Sequence, residues 1–197
     1  MVFRLLTAFP SIMSLGRAAK QSPAQRIYGH IVEAARQPGL YTQLDVPDTV
    51  EGRFDMITLH LFFVFRLLRA ADEGARDFGQ AVFDTMVQDL DDNFRELGVG
   101  DTKVGKKVRE HAEMFYGRSA AYEAALTADE PLDAMVQVIG RNVYGDEAHP
   151  AAPQLARYAL AIADKLAAQE AERLEGGMLR FPDVQAPETW PTREVTS

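Results

Sequence analysis

The residues best suited to chemistry in this chain are its histidines and a short acidic run, and neither has the spacing of a metal centre. The histidines are His30, His60, His111 and His149. No two of them are four residues apart and no Glu-x-x-His occurs, so the pattern of a helical di-iron site is missing. The acids at 89–92 resemble the start of a calcium loop, but Phe94 and Gly100 stand where that loop needs Gly and Glu. We therefore predict no metal ligand and no cofactor.

Covalent and nucleotide chemistry have no support in the sequence either. The chain has no cysteine, which excludes thiol nucleophiles, disulfides and iron–sulfur clusters. The Gly-x-Ser-x-Gly elbow of serine hydrolases and the glycine-rich phosphate loops are also missing. We predict that the protein has no catalytic residue and is not an enzyme.

Three polar features each allow two interpretations. His60 lies in an apolar stretch, where a neutral imidazole needs a hydrogen-bond partner, so it is either a satisfied core residue or a contact residue. The polar helix face between positions 84 and 95 is either solvated or a docking surface for a basic partner. Lys103, Lys106 and Lys107 align near a helix start, where the helix dipole disfavours cations. That basic patch indicates either an anionic partner or solubility alone.

Composition favours a globular protein of one domain. The chain of 197 residues is 47% hydrophobic and 25% charged, which excludes wholesale disorder and a fibrous protein. Its net charge of −8 argues against broad nucleic-acid binding. The longest apolar run, 56–65, is too short to cross a membrane, and Pro10 interrupts the apolar start, which disfavours a signal peptide.

Apolar residues recur at three and four positions, and Pro and Gly punctuate the pattern, so we predict an all-α fold of about six helices. The expected helices span 23–37, 54–71, 75–97, 101–126, 131–145 and 153–174. Ser22 and Asp101 are expected to cap the first and fourth, and the second, apolar on nearly every face, is expected to be the buried centre. A basic segment, 1–21, precedes the helical domain, 22–175, and an extended or disordered tail, 176–197, follows it, with a short edge strand at 178–181.

Residues 40–53 form the expected connector between the first two helices. This stretch contains the turn-forming residues Pro47, Asp48 and Gly52, and it is long for a compact helical domain. Loops of that length without structure of their own are usually functional or disordered. The sequence therefore predicts a functional loop there.

Three stretches of sequence resemble one protein family, in the right order and with plausible spacing: LYTQLDVPDTVEGRFDMITLH (40–60), GQAVFDTMVQDLDDNFRELGVGD (79–101) and EMFYGRSAAYEAAL (113–126). They are similar to the ubiquinol-cytochrome c chaperone family, over about residues 27–144. The resemblance implies a non-enzymatic all-α factor that assists assembly of the respiratory cytochrome bc complex and binds newly made cytochrome b. It implies a location in the cytoplasm or on the inner face of the inner membrane. Contact with the ribosome or with a small partner protein stays open.

Polar or amphipathic residues within the family-like stretches are the expected partner-binding residues: Tyr41, Asp48, Arg53, His60, Asp89, Arg95 and Arg118. Arg53 has an alternative role, which is to pin the loop by pairing with Asp48 or Asp55. A groove lined by Phe, Met and Leu is expected to take an apolar client segment.

Two other functions stay open from the sequence. One is a helical scaffold at the membrane periphery, with the basic N-terminal segment on acidic lipid. The other is an enzyme of quinone metabolism whose site the motifs do not reveal. Such helical enzymes carry Asp-rich or Glu/His motifs on facing helices, whereas the aspartates here fall mainly in one run.

Overall fold

Helices make up all the regular structure in the computed structural model, which describes residues 21–70, 73–169 and 177–184. They are α1 (Pro23–Ala35), α2 (Pro38–Thr42), α3 (Val50–Arg69), α4 (Glu73–Glu96), α5 (Asp101–Leu126), α6 (Pro131–Ile139) and α7 (Ala152–Ala167), with a π-helical turn, Gly140–Tyr144, directly after α6. No strand occurs in these ranges. The predicted all-α fold is confirmed.

Helix α3 is the centre of the core. Every residue from 52 to 64 is buried, because α1, α4, α5 and α7 all pack against this helix. A helix surrounded in this way must be apolar on nearly every face, as its sequence is. The prediction that this segment is the buried centre is confirmed.

Helix α1 begins as its sequence predicts. The Ser22 hydroxyl accepts the Gln25 N–H at 3.2 Å, and the Gln25 side chain accepts the Ser22 N–H at 2.9 Å. This reciprocal capping box satisfies two donors that the first turn leaves free, and Pro23 at the first helical position needs no partner. The start of α1 is therefore fixed by hydrogen bonds within its own first turn.

The predicted connector, 40–53, is wrong at both ends. Pro38 begins the one-turn helix α2 instead of only ending α1, and α3 already begins at Val50, so the loop between them is 43–49. Thr49 caps α3 by accepting the Gly52 N–H at 3.0 Å. A Cβ on Gly52 would lie 2.0 Å from the Pro47 carbonyl oxygen, so this glycine allows a close approach inside a helix and does not mark a turn.

A short junction separates α4 from α5. Gly98 has a φ of 79°, a conformation that suits glycine, and it follows the end of α4 as predicted. The prediction that Asp101 caps α5 is wrong, because Gly100 is the N-cap and Asp101 is the first helical residue. The Asp101 carboxylate pairs with Arg95 across the junction.

The end of the bundle departs from the predicted helices in two places. The helix predicted over 131–145 is α-helical only to Ile139 and closes through the π-helical turn, after which Gly145 stops it as expected. Helix α7 ends at Ala167, earlier than the predicted residue 174, and a turn at Ala168 and a bend at Gln169 follow it.

Residues 177–184 pack back onto the bundle through two glutamines. Gln37 donates to the Pro182 carbonyl at 3.1 Å and accepts the Val184 N–H at 3.0 Å. Gln169 donates to the Arg180 carbonyl at 2.9 Å and accepts the Arg180 N–H at 3.1 Å. We call Gln37 and Gln169 the glutamine clasp. Gln169 pairs with both backbone groups of Arg180, which lies in the predicted edge strand at 178–181, and that strand is not formed.

The predicted basic segment, 1–21, lies outside the described residues except for Gln21, and so does the predicted tail beyond Val184. In the described ranges, no helix combines the length and the apolar character needed to cross a membrane.

Candidate functional site

A groove of about 260 Å³ opens between α3, α4 and α5. It is lined by Phe62, Phe65, Leu68, Arg69, Ala75, Arg76, Gly79, Gln80, Phe83, Phe115, Tyr116 and Ser119. Most of these side chains are apolar, and the groove is large enough to take several side chains of a partner. An apolar concavity of this kind is the default binding site on a protein.

Aromatic rings form the wall of the groove. Phe65 and Phe115 meet edge to face at 5.7 Å between ring centroids, and Phe83 lies 5.9 Å from Phe115 and 5.7 Å from Tyr116. Tyr116 is 60% exposed, unusually so for a large ring in contact with this cluster. The rings therefore present a rigid apolar surface that is open to a partner.

The rim of the groove is basic. Arg69 and Arg76 line it, and among the described lining residues there is no carboxylate. Glu123, just outside, reaches Arg66 at 3.3 Å and Arg69 at 3.9 Å. The rim thus favours a partner that carries an acidic group beside its apolar segment.

A buried polar cluster adjoins the groove at the α3–α5 interface. Asp55, Arg118 and Tyr122 interact within it, and Thr58 and Ser119 on the same two helices also have a buried side-chain oxygen that hydrogen-bonds to no described residue. Arg118 Nη2 lies 2.7 Å from Asp55 Oδ1, so these opposite charges form a largely buried ion pair. The Thr58, Ser119 and Tyr122 hydroxyls have no partner among the described residues, and buried groups of this kind cost free energy.

Burial dominates the protonation chemistry of this cluster. It raises the pKa of Asp55 to about 7, although the charge of Arg118 opposes that rise. Burial also raises the pKa of Tyr122, and the nearby Asp55 carboxylate raises it further. Tyr122 therefore stays a neutral hydroxyl, while Asp55 changes charge near neutral pH.

Three of the predicted partner-binding residues lie together where α2 meets the start of α3. Arg53 donates to Asp48 at 2.7 Å, and its guanidinium lies 5.9 Å from the centre of the Tyr41 ring. Tyr41 donates to the Ala35 carbonyl at 2.6 Å. Arg53 is 8% exposed, so its local role is to pin the 43–49 loop, and a partner contact by these residues stays a prediction.

Asp89 is linked to Tyr41 and Arg53 through the charge of Arg36. It accepts the Tyr28 hydroxyl at 2.9 Å. Burial raises the pKa of Asp89, and the Tyr28 hydrogen bond and the charge of Arg36 partly offset that rise. Burial lowers the pKa of Arg36, the charge of Asp89 opposes that change, and the charge of Arg53 adds to it. Arg36 therefore interacts electrostatically with both Asp89 and Arg53, at the start of α3.

Arg95 and Arg118 lie elsewhere. Arg95 is exposed and bridges Asp91 and Asp101 at the α4–α5 junction. Arg118 is in the buried polar cluster behind the groove. The predicted residues therefore do not form one site, because α4 and α5 carry them to different sides of the bundle.

His60 is a fully buried residue with both ring nitrogens partnered. Nδ1 lies 2.7 Å from the Met56 carbonyl, so it carries the proton, and Nε2 accepts the Tyr158 hydroxyl at 2.9 Å. Gln37 donates to that hydroxyl at 3.2 Å, which joins His60 to the glutamine clasp. Burial lowers the pKa of His60 to about 4, so the ring is neutral at ordinary pH. This geometry fits the interpretation as a satisfied core histidine.

The sequence predicted a groove lined by Phe, Met and Leu. Phe and Leu do line the groove of the structure, whereas no Met is among its lining residues, and the individual residues were not predicted. The signal that would have found them is the Phe115, Tyr116 and Ser119 spacing on α5, together with Phe62 and Phe65 on α3. In the ranges 21–70, 73–169 and 177–184, no group of three or more His, Asp or Glu side chains is arranged to hold a metal ion.

The comparisons with known proteins agree with this architecture. The family model described as ubiquinol-cytochrome C chaperone matches residues 42–181, which includes the glutamine-held segment as far as Phe181. The crystal structure of the Cbp3 homolog from Brucella abortus is 36% identical, with a TM-score of 0.74, and the match covers 83% of this chain and 90% of that chain. No match was found among curated proteins. The match over most of the chain, at this identity and with the same helical fold, confirms that the protein belongs to the ubiquinol-cytochrome c chaperone family.

Proposed function

We propose that the protein is a non-enzymatic chaperone for assembly of the cytochrome bc complex and that it binds an apolar segment of newly made cytochrome b. The observation that carries this proposal is the aromatic groove between α3, α4 and α5, with its exposed Tyr116. A chaperone of a membrane subunit must cover apolar surface until the subunit is inserted, and this groove offers such a surface.

The basic rim supports the same occupant. Arg69 and Arg76 flank the apolar wall, so an apolar client segment that ends in acidic residues gains from both features. Family membership supports the choice of complex. We further propose that the protein acts in the cytoplasm or at the inner face of the inner membrane, where a client of this kind would enter the bilayer.

The test is deletion of the gene, followed by complementation with wild-type and variant genes. Deletion should lower haem b absorbance and quinol–cytochrome c reductase activity of membranes, and purified protein should show no quinol turnover of its own. Tyr116→Glu should fail to restore the reductase, because it puts a charge on the apolar wall. Met178→Glu is the matched control, since Met178 is 61% exposed and lies outside the groove.

Unchanged reductase in the deletion strain would contradict the assembly role. Full complementation by stably expressed Tyr116→Glu would contradict the groove as the client site. Turnover of a quinone substrate by the purified protein would favour the enzyme alternative, and binding of the protein to acidic liposomes without any loss of reductase would favour the membrane scaffold.

A further inference from the structure

The two arginines that line the groove differ in what they contact. Arg69 is the last residue of α3, and Arg76 lies in the first turn of α4, so they stand on different walls. Arg69 Nη2 lies 3.9 Å from Glu123 Oε2, and Arg69 Nε donates to the Phe65 carbonyl at 3.4 Å. Arg76 is exposed and pairs with no carboxylate of the described residues. The positive charge of the rim is therefore partly neutralised on the α3 wall and open on the α4 wall.

Glu123 on α5 causes this difference. Its other carboxylate oxygen, Oε1, lies 3.3 Å from Arg66 Nε, so one acid serves two arginines that are three residues apart on α3. An acidic group of a client near Arg69 would be repelled by Glu123 or would have to replace it. Such a group therefore gains little on the α3 wall.

No described carboxylate competes for Arg76 on the α4 wall. Asp77 follows Arg76 directly, but consecutive residues of a helix do not face each other. Asp84, two turns after Arg76, accepts the Gln80 amide at 2.7 Å. The Arg76 guanidinium is therefore the rim cation best placed to bind a group from outside the chain.

We infer that an acidic group of the client binds at Arg76, on the α4 wall, and that Glu123 sets this position by engaging Arg69. This inference rests on the proposed function and deepens it, because the rim then takes an acidic group at one place and not along both walls. A guanidinium binds a carboxylate through two parallel hydrogen bonds, so Arg76 also orients the client across the groove. Arg76 is thus a specificity-determining residue, and Glu123 is a positioning residue.

The experiment measures binding of two synthetic helical peptides to the full-length protein by fluorescence anisotropy at low salt. Both peptides are rich in alanine and leucine, and they differ only at one end, which carries glutamates in the first and glutamines in the second. Wild type should bind the glutamate peptide about threefold more tightly, the size expected for a charge pair at an exposed rim. This preference should shrink as the salt concentration rises.

Three variants that each remove one arginine locate the preference. Arg76→Gln should abolish it, whereas Arg69→Gln should keep most of it. Arg157→Gln is the matched control, because Arg157 is exposed on α7 and lies outside the groove lining, and it should keep the whole preference. Every variant is measured with the same two peptides, so differences in helix content between the peptides cancel in the comparison.

A second pair of variants tests Glu123. Glu123→Gln leaves Arg69 without its acid, so the preference for the glutamate peptide should rise about threefold above that of wild type. Adding Arg69→Gln to Glu123→Gln should remove this gain. A gain that survives in the double variant would mean that Glu123 only repels the client, and it would overturn the positioning role.

A preference that survives in Arg76→Gln, or that falls as far in Arg69→Gln, would overturn Arg76 as the position of the client's acid and leave the proposed function intact. Equal affinity of wild type for the two peptides, with clear binding of both, would do the same. Failure of wild type to bind either peptide would overturn the groove as the client site, and with it this inference.

Discussion

Asp55 shows how a single buried carboxyl can make the stability of this protein depend on pH. The folded state raises its pKa from 3.8 to about 7, chiefly by burial. The fold therefore prefers the protonated form. The difference in pKa makes its whole contribution to the free energy of unfolding below about pH 4. That contribution is lost as the pH rises through about 7.

We expect Asp55→Asn, which is neutral at every pH, to gain stability relative to wild type as the pH rises from about 4 to about 7. Thermal melts of both proteins across this range measure the difference, so other titrating groups common to both largely cancel. A constant difference between wild type and Asp55→Asn would show that Asp55 keeps an ordinary pKa.

Arg53 is the residue whose two predicted roles the structure separates most clearly. Its side chain is buried and holds Asp48, so Arg53→Ala should lower the free energy of unfolding by about 1 to 3 kcal/mol. Urea unfolding and client capture should be measured on the same variant. Asp48→Ala is the matched control, because it removes the ion pair and leaves the Arg53 stem in the protein.

Loss of client capture in proportion to the unfolded fraction would reject a partner contact by Arg53. Capture lost beyond that fraction, or lost from a variant as stable as wild type, would support the contact.

At the scale of elements, the glutamine clasp shows how side-chain amides can hold an extended segment, 177–184, that forms no strand. Gln37 should hold Val184 and Gln169 should hold Arg180 independently, since each pair has its own amide. We expect Gln37→Ala to speed hydrogen exchange of the Val184 amide and to leave that of Arg180 nearly unchanged. Gln169→Ala should do the reverse, and each variant is thus the control for the other. Faster exchange at both amides in either variant would mean that the segment opens as one unit.

The sequence predicted helices well where local signals and burial agree. The Ser22 cap and the apolar character of α3 were both predicted from residue order, and the structure confirms them. The 43–49 loop shows where this fails, since Gly52 reads as a turn former. The need for glycine comes from its approach to the Pro47 carbonyl, a tertiary contact that no local pattern contains.

The candidate site was less predictable than the fold for a similar reason. The groove exists because the Phe62 and Phe65 side of α3 meets the Phe115 and Ser119 side of α5, and helix packing decides that pairing. Residues singled out for their polarity, such as Arg53 and His60, turned out to be buried and locally partnered. Whether they also contact a partner stays a prediction.

Across the whole molecule, two different sets of buried polar side chains lie on two sides of α3. One side carries the neutral hydrogen-bonded path from His60 through Tyr158 to Gln37, in which every step is satisfied. The other carries the Asp55–Arg118 ion pair and the buried Tyr122 hydroxyl, beside the groove. The first side stabilises the fold at any ordinary pH, whereas the second contributes a stability that changes as Asp55 titrates.

The glutamine clasp also sets the order in which the chain can finish folding during synthesis. Gln37 leaves the ribosome early, but its partner Val184 follows it by 147 residues. Until Val184 emerges, the Gln37 amide cannot make this bond, and the Phe181 ring is missing from its contact with His60, 5.0 Å away. The bundle can collapse around α3 before then, yet these contacts must await the segment 177–184. A newly made copy of this chaperone is thus itself incomplete until that segment has left the ribosome.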